Sequence, residues 1–261
     1  HMRPQFQEYC AENVAKYDIF FPEFAMEHYF SGDVTEPFDI ADFEEIVGDI
    51  SHSIVIFPEA PGSFAETGYF AAKAALCGKS ILVLDAKRQA SDSFISMGPA
   101  KIIGERSKFN PVMQIDYGLP DFAAIIERIE RHPISSYKKL LELGLFKDLS
   151  RFELMGLIHK VVDLLIVATM SDIEFIFRSI FNAQISVPEI RKISSILVGS
   201  RYLRQVGEYG HIATRKARPG SLTVRVGSAG TESQLRLEIA PLIAEAEPEF
   251  QALVTEARRA D

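Results

Sequence analysis

The chain has 261 residues, 47% of them hydrophobic, and a formal net charge of −8, enough apolar content to bury a core in one or two globular domains and an acidic balance that argues against indiscriminate nucleic-acid binding. Its two cysteines, Cys10 and Cys77, are too few for a disulfide framework and are not spaced as metal ligands, so no metal is expected. No apolar run reaches the roughly 20 residues of a membrane-spanning helix and the start lacks a basic segment followed by an apolar one, so a cytoplasmic protein without membrane contact is expected.

His1-Met2 reads as a cloning remnant. The first half then alternates helical and strand patterns at short spacing, as βαβ units around a parallel sheet do. A helix is expected over Pro4 to Ala15, a strand at Asp18 to Phe21 and a helix over Ile40 to Ile50. Strands follow at Ser53 to Phe57 and Ser80 to Leu84, then a helix near Ala100 to Arg106, a strand at Val112 to Ile115 and a helix over Asp121 to Arg131. Each strand is short and rich in Ile, Val or Phe, as when helices cover both faces. The expected fold class is α/β with an open parallel Rossmann-like sheet. Such sheets usually open on a strand, whereas this chain starts on a helix. Either an upstream strand is missing, the reading favoured here, or the sheet is built without it.

After His132-Pro133 the patterns are helical only, over Tyr137 to Leu143, Arg151 to Thr169 and Ser171 to Asn182. The domain boundary is placed there, dividing 3–133 from 134–261. The apolar arc of Phe152, Leu154, Leu157, Ile158, Val161, Val162, Leu164 and Leu165 is wider than one surface stripe. It predicts burial, a dimer interface being one way to supply it, and a homo-oligomer is expected. Ser186-Val187-Pro188-Glu189 reads as a capping box opening a helix to about Val198. Arg201 to Val206, a turn at Gly207 to Gly210, and His211 to Lys216 alternate as a β-hairpin. The whole reads as a winged helix-turn-helix-like module over about 171–226. Glu232 to Arg259 forms a charged tail helix, bent at Pro241 and Pro248.

Between Arg191 and Arg225 lie eight basic residues, Arg191, Lys192, Arg201, Arg204, Arg215, Lys216, Arg218 and Arg225, against the single acid Glu208. A solvated face or a dimer contact accounts for such a run. Phosphate-backbone binding accounts for it better in this frame, with Arg191 and Lys192 on the presumed recognition helix and Arg215, Lys216 and Arg218 on the wing.

The densest chemistry sits at Pro58-Glu59-Ala60-Pro61-Gly62-Ser63-Phe64-Ala65-Glu66-Thr67-Gly68, between the strand Ser53 to Phe57 and an Ala-rich helix ending near Cys77. In open α/β sheets, ligands bind just past the carboxyl ends of strands, where Gly admits close approach and helix amides attract phosphate. Glu66, about one turn into the helix, is placed to act on a bound sugar; the helix dipole alone also favours a glutamate there. Glu59 either orients ribose hydroxyls and the attacking water or caps a neighbouring amide. Gly62 and Gly68 serve either a ligand or the turn and its packing. Asp85, at the end of the next strand, faces the same edge, although an ordinary turn aspartate explains it too. Met97-Gly98-Pro99 reads as a turn before a helix. His52, His159 and His211 are isolated and receive no role.

The stretch Ile56 to Gly68 resembles the signature of the nucleoside 2-deoxyribosyltransferase-like effectors of type II retrons. Asp18-Ile19-Phe20-Phe21-Pro22-Glu23 upstream, and Asp85-Ala86-Lys87 with Ser93-Phe94-Ile95-Ser96-Met97-Gly98-Pro99 downstream, are similar to the same family in the same order. As a set these motifs cover most of residues 3 to about 115; the second half matches only in outline. The resemblance implies the toxin of an anti-phage system, held in check by a reverse transcriptase and its branched RNA-linked DNA. It implies N-glycosidic cleavage of a nucleotide such as NAD, which is then substrate rather than cofactor. It assigns catalysis to Glu66 and gives Glu59, Pro61, Gly62 and Ser63 the loop around sugar and phosphates. The chain departs from the family in lacking the opening strand with its Gly-containing loop.

Ribosyl cleavage passes through an oxocarbenium-like sugar that a carboxylate stabilises electrostatically or traps covalently. Nicotinamide leaves neutral from a cationic ring without a strong general acid, and the sparse acids of this loop favour such a substrate. Two alternatives stay open: a nucleoside deoxyribosyltransferase or nucleotide hydrolase, and a non-catalytic, nucleotide-sensing DNA-binding regulator.

Overall fold

The structure, a computed structural model, describes residues 1–14, 17–30, 39–88, 92–133, 140–141, 149–180, 185–207, 210–215, 225–226, 233–234, 236–238, 240–241 and 245–259. The chain forms two compact units, one of His1–Ile19 with Glu44–Ser136 and one of Phe20–Phe43 with Tyr137–Asp261. The segment from Phe20 to Phe43 thus belongs with the carboxyl-terminal half.

The first unit holds α1 (Met2–Asn13), most of α3 (Ile40–Ile50), β1 (Ile54–Ile56), α4 (Pro61–Ala72), α5 (Ala74–Cys77), β2 (Ser80–Asp85), α6 (Phe94–Met97), α7 (Pro99–Arg106), β3 (Met113–Ile115) and α8 (Phe122–Glu130). The strands make a parallel sheet in the order β1-β2-β3, with Ile54 opposite Ser80 and Val83 opposite Met113. Period-two alternation sends the side chains of β2 to opposite faces. Ile81 and Val83 join Phe6, Cys10, Phe57, Ile125 and Ile129 in a core beneath α1 and α8. Leu82 and Leu84 join Phe70, Leu76, Cys77 and Ile103 beneath α4, α5 and α7. All six residues of β2 are buried, as a two-faced sheet requires, and burial of each large apolar side chain stabilises the unit by about 1.5–3 kcal/mol. The rings of Phe6, Phe57 and Phe122 pack at centroid distances of 5.4–6.4 Å.

Local signals explain the helix starts. Asp121 caps α8 by accepting from the Ala124 N–H at 3.1 Å, and Ile125, Ile126 and Ile129 supply its buried stripe. Helix α4 opens with Pro61 in its first turn, where a missing N–H is harmless.

The second unit contains α2 (Pro22–Phe30), the first turn of α3, β4 (Leu140–Leu141), α9 (Arg151–Leu165), β5 (Val167–Ala168), α10 (Met170–Ile180), α11 (Val187–Gly199), β6 (Leu203–Val206), β7 (His211–Thr214), β8 (Arg225–Val226) and α12 (Pro248–Arg259). Strands β6 and β7 form the expected antiparallel hairpin, and β5 adds to it in the order β5-β7-β6. Ser150 and Glu153 build a full capping box at α9, with Glu153 N–H to Ser150 Oγ at 3.3 Å and Ser150 N–H to Glu153 Oε2 at 2.8 Å. Ser186 caps α11 through the Glu189 N–H at 3.4 Å. The apolar arc of α9 is buried at Leu154, Leu157, Ile158, Val161 and Val162.

Three expectations are corrected. Asp18 to Phe21 is not a strand; its apolar residues serve packing instead, Ile19 lying against the α1–α8 core. The helix expected over Tyr137 to Leu143 falls mostly outside the described residues, and Leu140–Leu141 pair in parallel with Arg225–Val226 rather than forming helix. The helix over Arg151 to Thr169 stops at Leu165, because Ile166 turns the chain with φ 70° into β5.

Candidate active site

Three loops leave the carboxyl ends of the parallel strands and carry the candidate side chains. The first runs from β1 through Phe57-Pro58-Glu59-Ala60 into α4. Ser63, in the first helical turn, folds back so that its Oγ accepts from the Glu59 N–H at 3.0 Å and the Ala60 N–H at 3.1 Å, while donating to the Ala60 carbonyl at 2.9 Å. Thr67, fully buried, donates to the Ser63 carbonyl at 2.6 Å. These bonds satisfy amides that a helix start leaves orphaned and hold the turn in one shape.

The two glutamates of this turn meet different fates. Glu59 is half-buried, and its Oε2 accepts from the Met2 N–H at 2.7 Å, capping α1, with His1 Nδ1 3.9 Å from Oε1. Glu66 lies in the second turn of α4, exposed, with no polar partner among the described residues. Pro61 and Gly62 are exposed as well. A Cβ added at Gly62 or Gly68 would meet no protein atom within 4 Å, so packing inside this chain does not demand glycine at either position.

The second loop leaves β2. Asp85 is 7% exposed; its Oδ1 accepts from the Lys87 N–H at 3.0 Å and its Oδ2 lies 3.5 Å from Arg88 Nε. The turn-aspartate reading therefore describes real bonds. The third loop leaves β3 as Asp116-Tyr117-Gly118. Lys87 Nζ pairs with Asp116 Oδ2 at 2.7 Å and ties the second loop to the third. That ammonium, with the Gly118 N–H at 2.9 Å, holds the Asp116 carboxyl below the usual carboxylate range.

Sequence reading missed Tyr117. Its hydroxyl donates to the Val83 carbonyl at 2.7 Å and its ring meets Phe57 edge-on at 6.3 Å. Burial pushes its phenol up, and the negative charges of Glu59 and Asp85 push it further the same way. Tyr117 therefore feels the charge of both carboxylates. Its position two residues beyond the predicted strand end at Ile115 matches that of Glu59 beyond Phe57.

Of the basic candidates, Lys192 is 17% exposed and paired with Asp42, and Arg204 donates to the Ala257 carbonyl at 2.8 Å near the end of α12. Arg191 is half-buried, and Arg201, with φ 65°, and Arg215 are exposed. Lys216 and Arg218 lie outside the described residues. Among the described residues no three His, Cys, Asp or Glu side chains are grouped to hold a metal ion, and no helix is long and apolar enough to cross a membrane.

Comparison with known proteins places this arrangement. A curated relative from Escherichia coli, the "Retron Ec86 putative ribosyltransferase/DNA-binding protein", is 33% identical over 108 residues. The match covers 41% of this chain and 33% of the relative, so the chain spans about a third of that protein's length. The profile of the STM3845 retron effector protein family matches residues 1–205, which include the sheet, the turn bearing Glu59 and Glu66, and α11. The chain belongs to the STM3845 retron effector protein family.

Proposed function

We propose that the chain is a retron toxin whose first unit is a nucleoside deoxyribosyltransferase-like, Rossmann-like N-glycosidase cleaving the ribosyl bond of NAD or a related nucleotide. One observation carries the reading: the β1-to-α4 turn presents an unpartnered carboxylate, Glu66, on the helix that rises from the carboxyl edge of a parallel sheet. The open space over Gly62 supports ligand approach along the α4 amino terminus. The relative's name, a putative ribosyltransferase, agrees with glycosyl chemistry.

In this mechanism the bond between C1′ and the nicotinamide nitrogen breaks with its electron pair passing to the pyridinium, which leaves neutral. Glu66 meets the positive charge developing on the sugar, either electrostatically or as a covalent nucleophile. Water then adds to C1′ and releases one proton, giving nicotinamide and the free ribosyl product. Asp85 and Glu59 face the ribose hydroxyls, and Pro61, Gly62 and Ser63 shape the loop around the phosphates. The enzymatic domain, read from the sequence as 3–133, is assigned to the first unit, His1–Ile19 with Glu44–Ser136. The region 134–261 is assigned a winged helix-turn-helix-like module at about 171–226, consistent with the order α9-β5-α10-α11-β6-β7 and with the relative's name as a DNA-binding protein. A reverse transcriptase and its branched RNA-linked DNA are the partners proposed to silence the toxin.

The test is nicotinamide release from NAD by the wild-type chain and by Glu66→Gln. The substitution is expected to lower turnover by about 10²-fold or more. Equal turnover by the two proteins removes Glu66 from the mechanism. Absence of turnover in the wild type, with or without retron partners, points instead to a nucleotide-sensing regulator. Appearance of a new nucleoside when a free base is added marks a transferase.

A further inference from the structure

The loops that carry Asp85 and Tyr117 also carry the most exposed large apolar side chains of the first unit. Phe94 is 84% exposed and Met97 65% exposed, three residues apart on the single turn of α6; Leu119 is 82% exposed on the turn after β3. A soluble chain has reason to hide such groups, and three of them at one end of one sheet call for an occupant. Their backbone is well fixed. Ser93 caps α6, its Oγ accepting from the Ser96 N–H at 3.3 Å. The Leu119 N–H donates to the Asp116 carbonyl at 3.0 Å, and Asp116 is held by Lys87. Gly98 gives the Phe94 ring its place: a Cβ there would lie 2.9 Å from the Phe94 carbonyl and 3.8 Å from ring atom Cζ. The ring therefore lies against the start of α7 with most of its surface open.

Chain topology brings these groups to the carboxyl edge of the sheet that also carries Asp85. Asp85 ends β2 and α6 follows in the same connection; Tyr117 and Leu119 share the connection after β3, the neighbouring strand. A nucleoside matches both halves, because a planar ring and a hydroxyl-rich sugar are joined by one bond.

We propose that Phe94, with Met97 on the same turn and Leu119 on the adjoining loop, forms the platform that stacks the heterocyclic base of the bound nucleotide. The inference rests on reading the carboxyl edge as a nucleotide site and adds the base subsite to it. Binding is measured by calorimetry with NAD, and with ribose 5-phosphate as a probe lacking the base, in a Glu66→Gln background so that turnover plays no part. Phe94→Ala is expected to weaken NAD binding about tenfold or more, Phe94→Trp to keep it within about threefold, and ribose 5-phosphate binding to stay unchanged. Wild-type affinity for NAD in Phe94→Ala overturns the platform, as does an equal loss for both probes. Failure of the parent protein to bind NAD overturns it too. A Phe94→Ala protein that binds NAD normally but sediments at a different mass overturns it in favour of a protein contact. Because catalysis is not read, a failed glycosidase assay leaves this result independent.

Discussion

At the scale of single residues, the contrast between Glu59 and Glu66 shows how one motif divides its carboxylates. Glu59 is tied to the first amide of α1, which costs it freedom and fixes its direction. Glu66 has no such tie among the described residues and stays exposed. The cysteines lie at the other extreme. Burial pushes the Cys10 thiol up to about 11 and raises Cys77 as well. Both thiols should stay protonated at pH 8 and react with Ellman's reagent much more slowly than a free thiol until the protein is unfolded. The sign of the linkage follows: a raised folded-state pKa contributes stability that is present below pH 9 and lost as pH rises toward about 11. Chemical denaturation midpoints at pH 8 and pH 10.5, compared with those of Cys10→Ala, check this; a midpoint that falls equally in both proteins assigns the loss to other groups.

Among the elements, α11 departs most from its expected role. Ile190 and Ile193 to Leu197 are buried, and Arg191 and Lys192 on the same helix are half-buried. The reason lies in α2, which packs against α11 at backbone distance. A Cβ at Gly199 would sit 2.9 Å from the Ala25 nitrogen and the Phe24 carbonyl carbon, main-chain atoms that cannot swing aside. Gly199→Ala should therefore destabilise the second unit by about 1–3 kcal/mol, read as a lower denaturant midpoint at unchanged slope. A midpoint equal to wild type would show that α2 yields at no cost. Arg201 ends the same helix: its N–H donates to the Val198 carbonyl, and the Tyr202 N–H reaches the Leu197 carbonyl at 2.8 Å, the pattern of a left-handed helix stop. Part of the basic run thus serves helix termination, and nucleic-acid contact is better sought on the hairpin side, at Arg215 and the residues after it.

For the molecule as a whole, a chain of net charge −8 offers polyanions its densest run of cations in the eight between Arg191 and Arg225. Changing Arg215, Lys216 and Arg218 together to Ala should weaken duplex DNA binding and reduce the slope of log K against log salt by about 2–3. An unchanged slope would show that these side chains touch no phosphate. The same view shows why two proposals about the first unit can fail separately. Glu66 is proposed to act on the sugar and Phe94 on the base, and the two come from different βα connections.

Most helices and strands of the first unit were legible because they are marked locally, by Pro61 at a helix start, by Asp121 at a cap and by β-branched runs at Ile54–Ile56 and Ser80–Asp85, whereas the short α6 and the break between α4 and α5 were not. The strand, turn and helix start around Pro58 to Gly68 were legible for the same reason, since spacing along them needs no distant partner. Tertiary structure alone decided the rest. It took Asp18 to Phe21 out of the sheet, gave the segment Phe20 to Phe43 to the second unit, tied Lys192 to Asp42, and set the Tyr117 hydroxyl on the Val83 carbonyl. Local periodicity reports which face of an element is apolar; only packing between segments far apart in the chain decides which neighbour covers it and which charge finds a partner.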